Sequence, residues 1–365
     1  MKQTSLYKIQ STLKAEFGNF QGWKVPLRFF SLEKEDLILK NKVGLLDLSY
    51  LGIIQLRGKD RSRFLHGMVT NDIKNLEVGQ GCYALMLNPQ GKILSDMRVL
   101  CLEEALLLIL EPNLIEKILP LLRKYIISEQ VEATDLSSEM GTLSIQGPNA
   151  KKVIHSLNNK SDLPISPFEN FYFSYKEIKI HCARINRTIY GGYDLIINHK
   201  DFGYIWNTLL ENGSKFGLQP VGLEALDLQR LEIGTPLYGI DMDENRIPLE
   251  VDIGEAISYT KGCYIGQEVV ARATYLGSVN RKLIGLLFST KIPAQKGDKV
   301  FIADKEVGWI SSSLYSPNLK RAIAFAFIRK EGWNPGTKVK VSTQSEMQEA
   351  IATKRTFLDS VKIMK

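Results

Sequence analysis

Cysteine and histidine are scarce in this sequence, and neither residue forms a metal-binding pattern. Its four cysteines, Cys82, Cys101, Cys182 and Cys263, include no C-x-x-C pair, and its four histidines form no H-E-x-x-H motif. Zinc and iron–sulfur centres need clustered ligands of these types, and disulfide-rich domains need paired cysteines. The sequence therefore predicts no metal site and no disulfide framework, and it favours a reducing compartment.

Long apolar runs are also absent from the 365 residues. No segment approaches the roughly 18 consecutive apolar residues that a membrane-spanning helix requires. The N-terminal segment contains lysines but no continuous apolar stretch after them, which is unlike a secretory signal peptide. We therefore expect a cytoplasmic protein that makes no membrane contact.

Charge is unevenly distributed along the chain. The formal net charge is +7, and residues 284–365 contain 14 lysines and arginines against 7 aspartates and glutamates. The rest of the chain carries 33 residues of each sign. A basic excess of this kind forms a solvated surface in most proteins, but it also suits an acidic partner such as RNA. Both interpretations of the basic last module stay open.

A strand, a glycine and a helix follow one another twice in the first half of the chain. The apolar pattern predicts a strand over residues 52–57, then Gly58 and a helix capped by Asp60. Residues 141–146 and Gly147 repeat this order before a second helix. This weak internal repeat suggests two related α+β modules.

A hairpin is predicted between the two copies. Residues 82–87 and 93–102 read as strands that are joined by an N-P-Q-G-K turn, and residues 105–110 add a third apolar strand. Apolar residues recur at helical spacing over residues 113–127, although Pro120 is expected to kink or interrupt this helix.

Short strands separated by Gly, Pro and Asn dominate the chain after Arg281. This pattern is typical of a small β-barrel, here of about 80 residues. The predicted strands are residues 283–288, 299–302, 307–312, 322–328 and 338–341.

Three groups of motifs carry a resemblance to a known family. The string K-G-C-Y-I-G-Q-E at residues 261–268 resembles the signature of the YgfZ-type folate-binding proteins. The strings L-E-I-G and L-Y-G-I-D-M within residues 231–242 resemble the central signature of the glycine cleavage system T-protein superfamily, which includes the YgfZ type. The S-P-N-L string at residues 316–319 resembles the C-terminal barrel of that superfamily. The octapeptide favours the YgfZ branch.

This resemblance implies an α+β fold with three lobes around a central channel and a small C-terminal β-barrel. We expect a first lobe with part of the central module over residues 1–140, the second and third lobes over residues 141–282, and the barrel over residues 283–365. The channel would hold tetrahydrofolate or a 5- or 10-substituted derivative.

The resemblance also implies a function. YgfZ-type proteins are linked to the assembly and repair of iron–sulfur proteins and thereby to tRNA modification, so iron–sulfur client or assembly proteins are the expected partners. One alternative is the aminomethyltransferase reaction of T-proteins, which moves a one-carbon unit from an aminomethyl group on a lipoyl carrier to tetrahydrofolate. A second alternative is binding of tRNA or another RNA by the basic barrel. The sequence leaves open whether the chain is an enzyme.

Asp96 is the first candidate site residue. It shares a strand face with Arg98, and a carboxylate there can anchor or polarise reduced folate. In T-proteins an acid in this context is catalytic and has an acidic neighbour, whereas this chain has the pair S-D. A surface salt bridge to Arg98 is the alternative. Leu85 and Asn88 are candidates for the same folate pocket, with core packing and turn formation as their alternatives.

Two tyrosines mark a departure from the T-protein pattern. That pattern has a glutamate, which binds the pterin ring, ahead of a Gly–aromatic–acid step. The step is G-Y-D at residues 192–194, and Tyr190 occupies the glutamate position. We expect Tyr190 and Tyr193 to contact folate, but a phenol offers one hydrogen-bonding group where a carboxylate offers two acceptors and a charge. This departure argues against aminomethyl transfer.

Arg230 resembles a folate-facing arginine of the superfamily. A guanidinium suits the carboxylates of the glutamyl tail of folate. Its alternative is an ion pair with Asp227, three residues earlier on the same predicted helix.

Cys263 is the second candidate for a catalytic residue. Gly262 and Gly266 permit a tight turn that leaves its sulfur accessible, and nearby basic residues would favour a reactive thiol. Nucleophilic, redox and transient cluster-contacting roles stay open, as does simple packing. Gln267 is expected to hold this loop or to hydrogen-bond a ligand.

Overall fold

The computed structural model describes residues 1–158, 163–275, 277, 279–344 and 346–358. The chain divides into two compact units. Unit 1 contains Met1–Met86, Ser95–Leu226 and Glu255–Ile265. Unit 2 contains Leu87–Leu94, Asp227–Gly254 and Gly266–Lys365.

Strands outnumber helices in the described residues. The helices are α1 (Tyr7–Thr12), α2 (Leu32–Asn41), α3 (Arg61–Met68), α4 (Ile115–Tyr125), α5 (Ala150–Leu157), α6 (His199–Gly213), α7 (Leu223–Ile233), α8 (Pro248–Val251) and α9 (Gln267–Tyr275). The strands are β1 (Lys2–Gln3), β2 (Glu16–Phe20), β3 (Trp23–Arg28), β4 (Val43–Asp47), β5 (Gly52–Arg57), β6 (Gly81–Leu87), β7 (Ile93–Cys101), β8 (Ala105–Leu110), β9 (Glu132–Asp135), β10 (Met140–Gln146), β11 (Asn170–Tyr175), β12 (Ile178–Ala183), β13 (Gly192–Asn198), β14 (Leu218–Pro220), β15 (Arg281–Phe288), β16 (Lys299–Ile302), β17 (Lys305–Ser316), β18 (Arg321–Arg329), β19 (Lys338–Ser342) and β20 (Met347–Thr353).

A six-stranded sheet forms one half of unit 1, in the order β11-β12-β13-β10-β4-β14. β10 pairs antiparallel with both β13 and β4 and is therefore central. Helices α5 and α6 pack on one face of this sheet, where Val153 and Trp206 share a buried cluster with Leu143 and Ile145 of β10. Because alternate strand residues point to opposite sides, the other face is free to bury a second set of apolar residues.

A five-stranded sheet in the order β6-β7-β8-β5-β9 covers that second face. Ile53 of β5 and Ile109 of β8 form a buried cluster with Leu46 of β4 and Ile196 of β13. The two sheets of unit 1 thus pack face to face around this core. A small third sheet has the order β1-β3-β2.

The predicted repeat of strand, glycine and helix is present in unit 1. β5 leads through Gly58 into α3, and β10 leads through Gly147 into α5. The two glycines have φ of 106° and 128°, and a Cβ at either position would lie within 2.6 Å of a backbone oxygen. Only glycine fits such a turn. Asp60 precedes α3, but its carboxylate accepts from the N–H of Gln130 and no side-chain cap is formed.

Unit 2 contains a closed six-stranded barrel in the order β15-β18-β17-β16-β19-β20. Its interior cluster includes Ala322, Ala324 and Ala326, which alternate along β18. Small side chains at these positions suit the narrow interior of a small barrel. The predicted α+β fold with a C-terminal β-barrel is therefore confirmed.

Two local predictions differ from the structure. β20 escaped the sequence pattern because Gln348 and Glu349 interrupt its apolar residues, although Gln348, Ala350 and Ala352 alternate as buried positions. α4 continues through Pro120, which is exposed, while Ile118 and other apolar residues of the helix are buried. In the described part of the chain, no helix is both long and apolar enough to cross a membrane.

Packing on the outer side of β18 gives a test of barrel stability. Phe325 and Phe357 are fully buried and stack with 6.1 Å between ring centroids. Phe325→Ala should lower the free energy of unfolding by about 3–5 kcal/mol, because a large buried ring is lost. Ile292→Ala, at a position that is 56% exposed, should change it by less than about 0.5 kcal/mol. Urea denaturation measures both, and equal effects would contradict this packing.

Candidate functional site

Asp96 lies in β7 with only 7% of its surface exposed. The hydroxyl of Tyr83 donates a hydrogen bond to its Oδ2 at 2.8 Å. Its other oxygen, Oδ1, is buried and has no hydrogen-bond partner in the described part of the chain. Asp96 is buried rather than at the surface, but Arg98 lowers its pKa, so an electrostatic interaction with Arg98 stays an alternative to a folate contact. A buried carboxylate oxygen without a partner is costly, and a ligand N–H would satisfy it.

Tyr83 is the residue of this site that the sequence analysis missed. It lies in β6 two positions before Leu85, and strand alternation places both side chains on the same face. The Cζ atom of Arg98 lies 5.9 Å from the centroid of the Tyr83 ring. Tyr83 therefore contacts both charged residues of the neighbouring strand and orients the carboxylate of Asp96.

The surroundings of Asp96 act on its pKa in opposite directions. Burial raises the pKa of Asp96 above its ordinary value, while Arg98 and the hydrogen bond from Tyr83 lower it, and Arg187 lowers it further. Burial also raises the pKa of Tyr83 well above its ordinary value, so its hydroxyl stays protonated and donates. A raised pKa lies nearer to the working pH. Acid–base catalysis requires this, because the group must both accept and release a proton at that pH.

A second polar cluster surrounds the acid of the G-Y-D step. Asp194 is fully buried and accepts hydrogen bonds from Nη2 of Arg187 at 2.7 Å and from Oγ of Ser144 at 2.6 Å. Burial opposes the charge on Arg187, but Asp194 raises the pKa of Arg187 above its ordinary value. Arg187 therefore stays charged, and both carboxylate oxygens of Asp194 have hydrogen-bond partners within unit 1.

The two candidate tyrosines of this stretch lie in different environments. Tyr193 is 2% exposed, and its hydroxyl donates to the carbonyl oxygen of Pro164 at 3.1 Å. Tyr190 is half-buried in the preceding turn, where its backbone N–H is bound to Oγ1 of Thr188 at 3.2 Å. Their contacts to folate stay predictions.

Leu85 and Asn88 have clear structural surroundings. Leu85 is fully buried, and its N–H donates to Oγ1 of Thr70 at 2.9 Å. Asn88, in unit 2, closes the hairpin turn, because its Oδ1 accepts from the N–H of Lys92 at 2.9 Å. Their assignment to a folate pocket likewise stays a prediction.

Arg230 is the centre of a buried network in unit 2. Its Nε donates to Asp227 at 2.5 Å, its Nη1 to Asp241 at 2.6 Å and its Nη2 to Ser312 at 3.2 Å. Asp241 also accepts from Ser311 at 2.7 Å. The ion pair with Asp227 is therefore present, and the guanidinium is engaged on all sides within unit 2. A role in binding folate stays a prediction.

The octapeptide contributes an exposed thiol and a buried ammonium to unit 1. Cys263 is exposed. Lys261 is 8% exposed and donates to the carbonyl oxygens of Val69 at 2.6 Å, Asn71 at 3.0 Å and His66. Burial lowers the pKa of Lys261 to about 8.

The end of the octapeptide belongs to unit 2. Gln267 begins α9 and is half-buried. Arg272, one turn later, pairs with Glu268 at 2.6 Å on the exposed side of this helix. Among the residues that the structure describes, no group of three or more His, Cys, Asp or Glu side chains is arranged to hold a metal ion.

Most of the chain matches two protein-family models. Residues 6–261 match the GCVT N-terminal domain, and residues 281–359 match the glycine cleavage T-protein C-terminal barrel domain. The second match coincides with the closed barrel of unit 2.

Individual proteins are similar over nearly the whole length. An aminomethyltransferase from Thermosipho melanesiensis is 33% identical over 359 residues, which cover 98% of this chain and 97% of that protein. One from Caldanaerobacter subterraneus subsp. tengcongensis is 31% identical over 365 residues, with 98% and 96% covered. The crystal structure of glycine cleavage system aminomethyltransferase T from Bartonella henselae has a TM-score of 0.88 and 24% identity, covers 98% of both chains, and shows the shared fold.

These matches correct the function expected from the octapeptide. The accessory role in iron–sulfur protein maintenance is wrong, because the full-length relatives are named aminomethyltransferases, which was the alternative. The YgfZ branch is not confirmed, and nothing in the matches supports iron–sulfur clients or tRNA as partners. Eight residues carried that branch assignment, whereas the similarity to aminomethyltransferases extends over both matched domains.

The exposure of the four thiols predicts selective modification. Cys263 is exposed, Cys101 and Cys182 are buried, and burial raises the pKa of the half-buried Cys82 to about 12. Limited treatment of the native protein with iodoacetamide near neutral pH should therefore alkylate Cys263 first. Peptide mass spectrometry measures the labelled position. Cys263→Ser should remove the fast label, and faster labelling of another cysteine would contradict this arrangement.

The network around Arg230 predicts a large loss of stability on substitution. Arg230→Met leaves Asp241 buried without its cation and should lower the free energy of unfolding by about 3–5 kcal/mol. Arg28→Met, which breaks the pairs of a more exposed arginine with Glu16 and Glu224, should cost far less. Urea denaturation compares the two variants. If Arg230→Met kept its stability and lost only folate affinity, a binding role for Arg230 would replace the structural one.

Proposed function

Because the chain belongs to the glycine cleavage T-protein family, we propose that it is an aminomethyltransferase that transfers a one-carbon unit to tetrahydrofolate. The observation that carries this proposal is the identity of 31–33% to proteins named aminomethyltransferase over 98% of the chain. The buried carboxylate of Asp96 supports it, because that side chain has one oxygen fixed and one oxygen without a protein partner.

The residues around Asp96 fit a reduced pterin. Oδ1 is a buried acceptor that lacks a donor, and the ring of a reduced pterin presents N–H donors. Tetrahydrofolate, when bound, supplies the nitrogen nucleophile of the transfer. Asp96 would hold this ring by a hydrogen bond to Oδ1 and accept the proton that the nitrogen loses. Its negative charge would also stabilise the positive charge that develops on the aminomethyl carbon.

Tyr83 would keep this carboxylate in place. Its hydroxyl occupies Oδ2 and leaves Oδ1 for the ligand. Since the hydrogen bond from Tyr83 favours the ionised form, it also opposes the rise in the pKa of Asp96 that burial causes. Tyr83 would therefore act as a positioning residue that maintains the carboxylate in its base form.

Tyr190 stands where T-proteins have the pterin-binding glutamate. We assign the pterin contact at this position to the phenol of Tyr190, because one hydroxyl can both donate and accept. Asp194, four residues later, is not an alternative, because its carboxylate is bound by Arg187 and Ser144.

An activity assay tests the proposal directly. The full chain is mixed with tetrahydrofolate and an aminomethylated lipoyl carrier protein, and the release of ammonia and the formation of methylenetetrahydrofolate are measured. Asp96→Asn removes the proton acceptor at almost unchanged volume and should lower kcat by about 10²–10⁴-fold. Asp304→Asn, which changes an exposed acid of unit 2, should leave kcat unchanged.

The pH dependence of the transfer rate also tests the role of Asp96. The reactive form is the carboxylate, so kcat/KM of the native chain should fall as the pH drops through the raised pKa of Asp96. A native chain that binds tetrahydrofolate but releases no ammonia would exclude the transferase function.

A further inference from the structure

A short segment that follows α3 in unit 1 makes hydrogen bonds to two neighbouring parts of the chain. Residues 69–71 follow α3 and lie between β6 and residues 255–261. Thr70 accepts at Oγ1 from the N–H of Leu85 in β6 at 2.9 Å, and the same hydroxyl donates to the carbonyl oxygen of Ala256 at 2.6 Å. We call residues 69–71 the bridging segment.

Asn71 makes the same two-sided contact. Its side-chain amide donates to the carbonyl oxygen of Tyr83 at 2.8 Å and to the carbonyl oxygen of Glu255 at 3.3 Å. Val69 adds a β-bridge to Met86 of β6. The bridging segment therefore fixes the backbone of β6 at the position from which the Tyr83 side chain leaves the strand.

Lys261 fixes the bridging segment in turn. Its ammonium donates to three carbonyl oxygens, those of His66, Val69 and Asn71, and an ammonium has three N–H donors. The other titratable groups near this ammonium are Asp72, Cys82, His66 and Tyr264, whose ring centroid lies 5.0 Å from Nζ. Lysine is almost never buried without partners. Here the partners are main-chain oxygens, so the cation determines the course of the backbone around it.

The contacts of these residues form one continuous path to the candidate base. Lys261 binds the carbonyl of Asn71, Asn71 binds the carbonyl of Tyr83, and Tyr83 binds Oδ2 of Asp96. We infer that Lys261 and Asn71 are positioning residues for Asp96 and act through Tyr83. This inference rests on the proposed function for its effect on the rate, but not for its effect on the carboxylate itself.

The carboxylate gives a readout that does not require turnover. In protein with ¹³C-labelled aspartate, the Asp96 carboxyl resonance is assigned by its loss in Asp96→Asn and then titrated. Because the Tyr83 hydrogen bond lowers the pKa of Asp96, Tyr83→Phe should move the midpoint up by about one pH unit. Lys261→Met should move it in the same direction by a smaller amount, since it releases Tyr83 without removing its hydroxyl.

A control variant separates the path to Asp96 from the loss of any other cation that binds the main chain of unit 1. Arg123 also anchors a cation to the main chain of unit 1, donating from Nε and Nη2 to the carbonyl oxygen of Ala133 at 3.1 and 2.8 Å. It is not part of the path to Asp96. Arg123→Met should leave the midpoint of Asp96 unchanged. If Lys261→Met does not fold, Asn71→Ala breaks the same path at its middle contact and should shift the midpoint upward.

The transfer rate supplies the second readout. Lys261→Met should lower kcat about tenfold while KM for tetrahydrofolate changes less than about twofold, because misplacement of the base affects the chemical step more than binding. In a Tyr83→Phe background the same substitution should lower kcat by much less, because coupled residues are not additive.

The outcomes separate this inference from the proposed function. An unshifted Asp96 midpoint in a folded Lys261→Met chain overturns the inference, even if the native chain is an active transferase. If the Asp96 midpoint shifts in Lys261→Met but the native chain has no transferase activity, the path to Asp96 is supported and only the proposed function is overturned. Fully additive effects of Lys261→Met and Tyr83→Phe on kcat would show that Lys261 acts without Tyr83.

Discussion

The hydrogen bond from Tyr83 to Asp96 fixes one oxygen of a buried carboxylate and leaves the other without a protein donor. Burying a charge of this kind is costly unless its hydrogen bonds are made, so the surrounding sheet must hold both residues accurately. That accuracy comes from the core between the two sheets of unit 1, where Ile53 and Ile196 pack from opposite sides. Strand alternation places Asp96 and Arg98 on the same face of β7 as Leu100, which belongs to this core, so the carboxylate is held by the packing around it.

Two other buried acids, Asp194 and Asp241, differ from Asp96 because other residues of the protein bind both of their carboxylate oxygens. Asp194 is matched by Arg187 and Ser144, and Asp241 by Arg230 and two serines. Such networks stabilise a fold when every member has a partner, and they have little capacity left for a ligand. This contrast explains why burial alone does not identify a functional residue. The informative observation is an unmet hydrogen bond in a side chain that is otherwise firmly held.

The octapeptide of residues 261–268 shows the limit of a short motif. It pointed to one branch of the superfamily, whereas similarity over the whole chain supports the aminomethyltransferases. The lysine of this motif has a structural role whichever branch the chain belongs to. The ammonium of Lys261 binds three main-chain carbonyl oxygens of unit 1. Cys263, two residues later, is exposed, so the fold does not depend on its side chain in the same way. Residues of one motif can therefore serve different purposes.

The sequence by itself determined the fold class, five of the six barrel strands, the repeat at Gly58 and Gly147, and the position of Asp96 on a strand, because alternation and glycine turns are local properties of the chain. It missed β20, whose apolar residues are interrupted, and the continuity of α4 through Pro120, where packing of the buried face outweighs one lost hydrogen bond. Only the tertiary structure decided that Tyr83 bonds to Asp96 and that Asp241 and Ser312 join Asp227 around Arg230. These contacts join residues that are distant in sequence, and a hydrogen bond depends on distances of tenths of an ångström that no local pattern encodes.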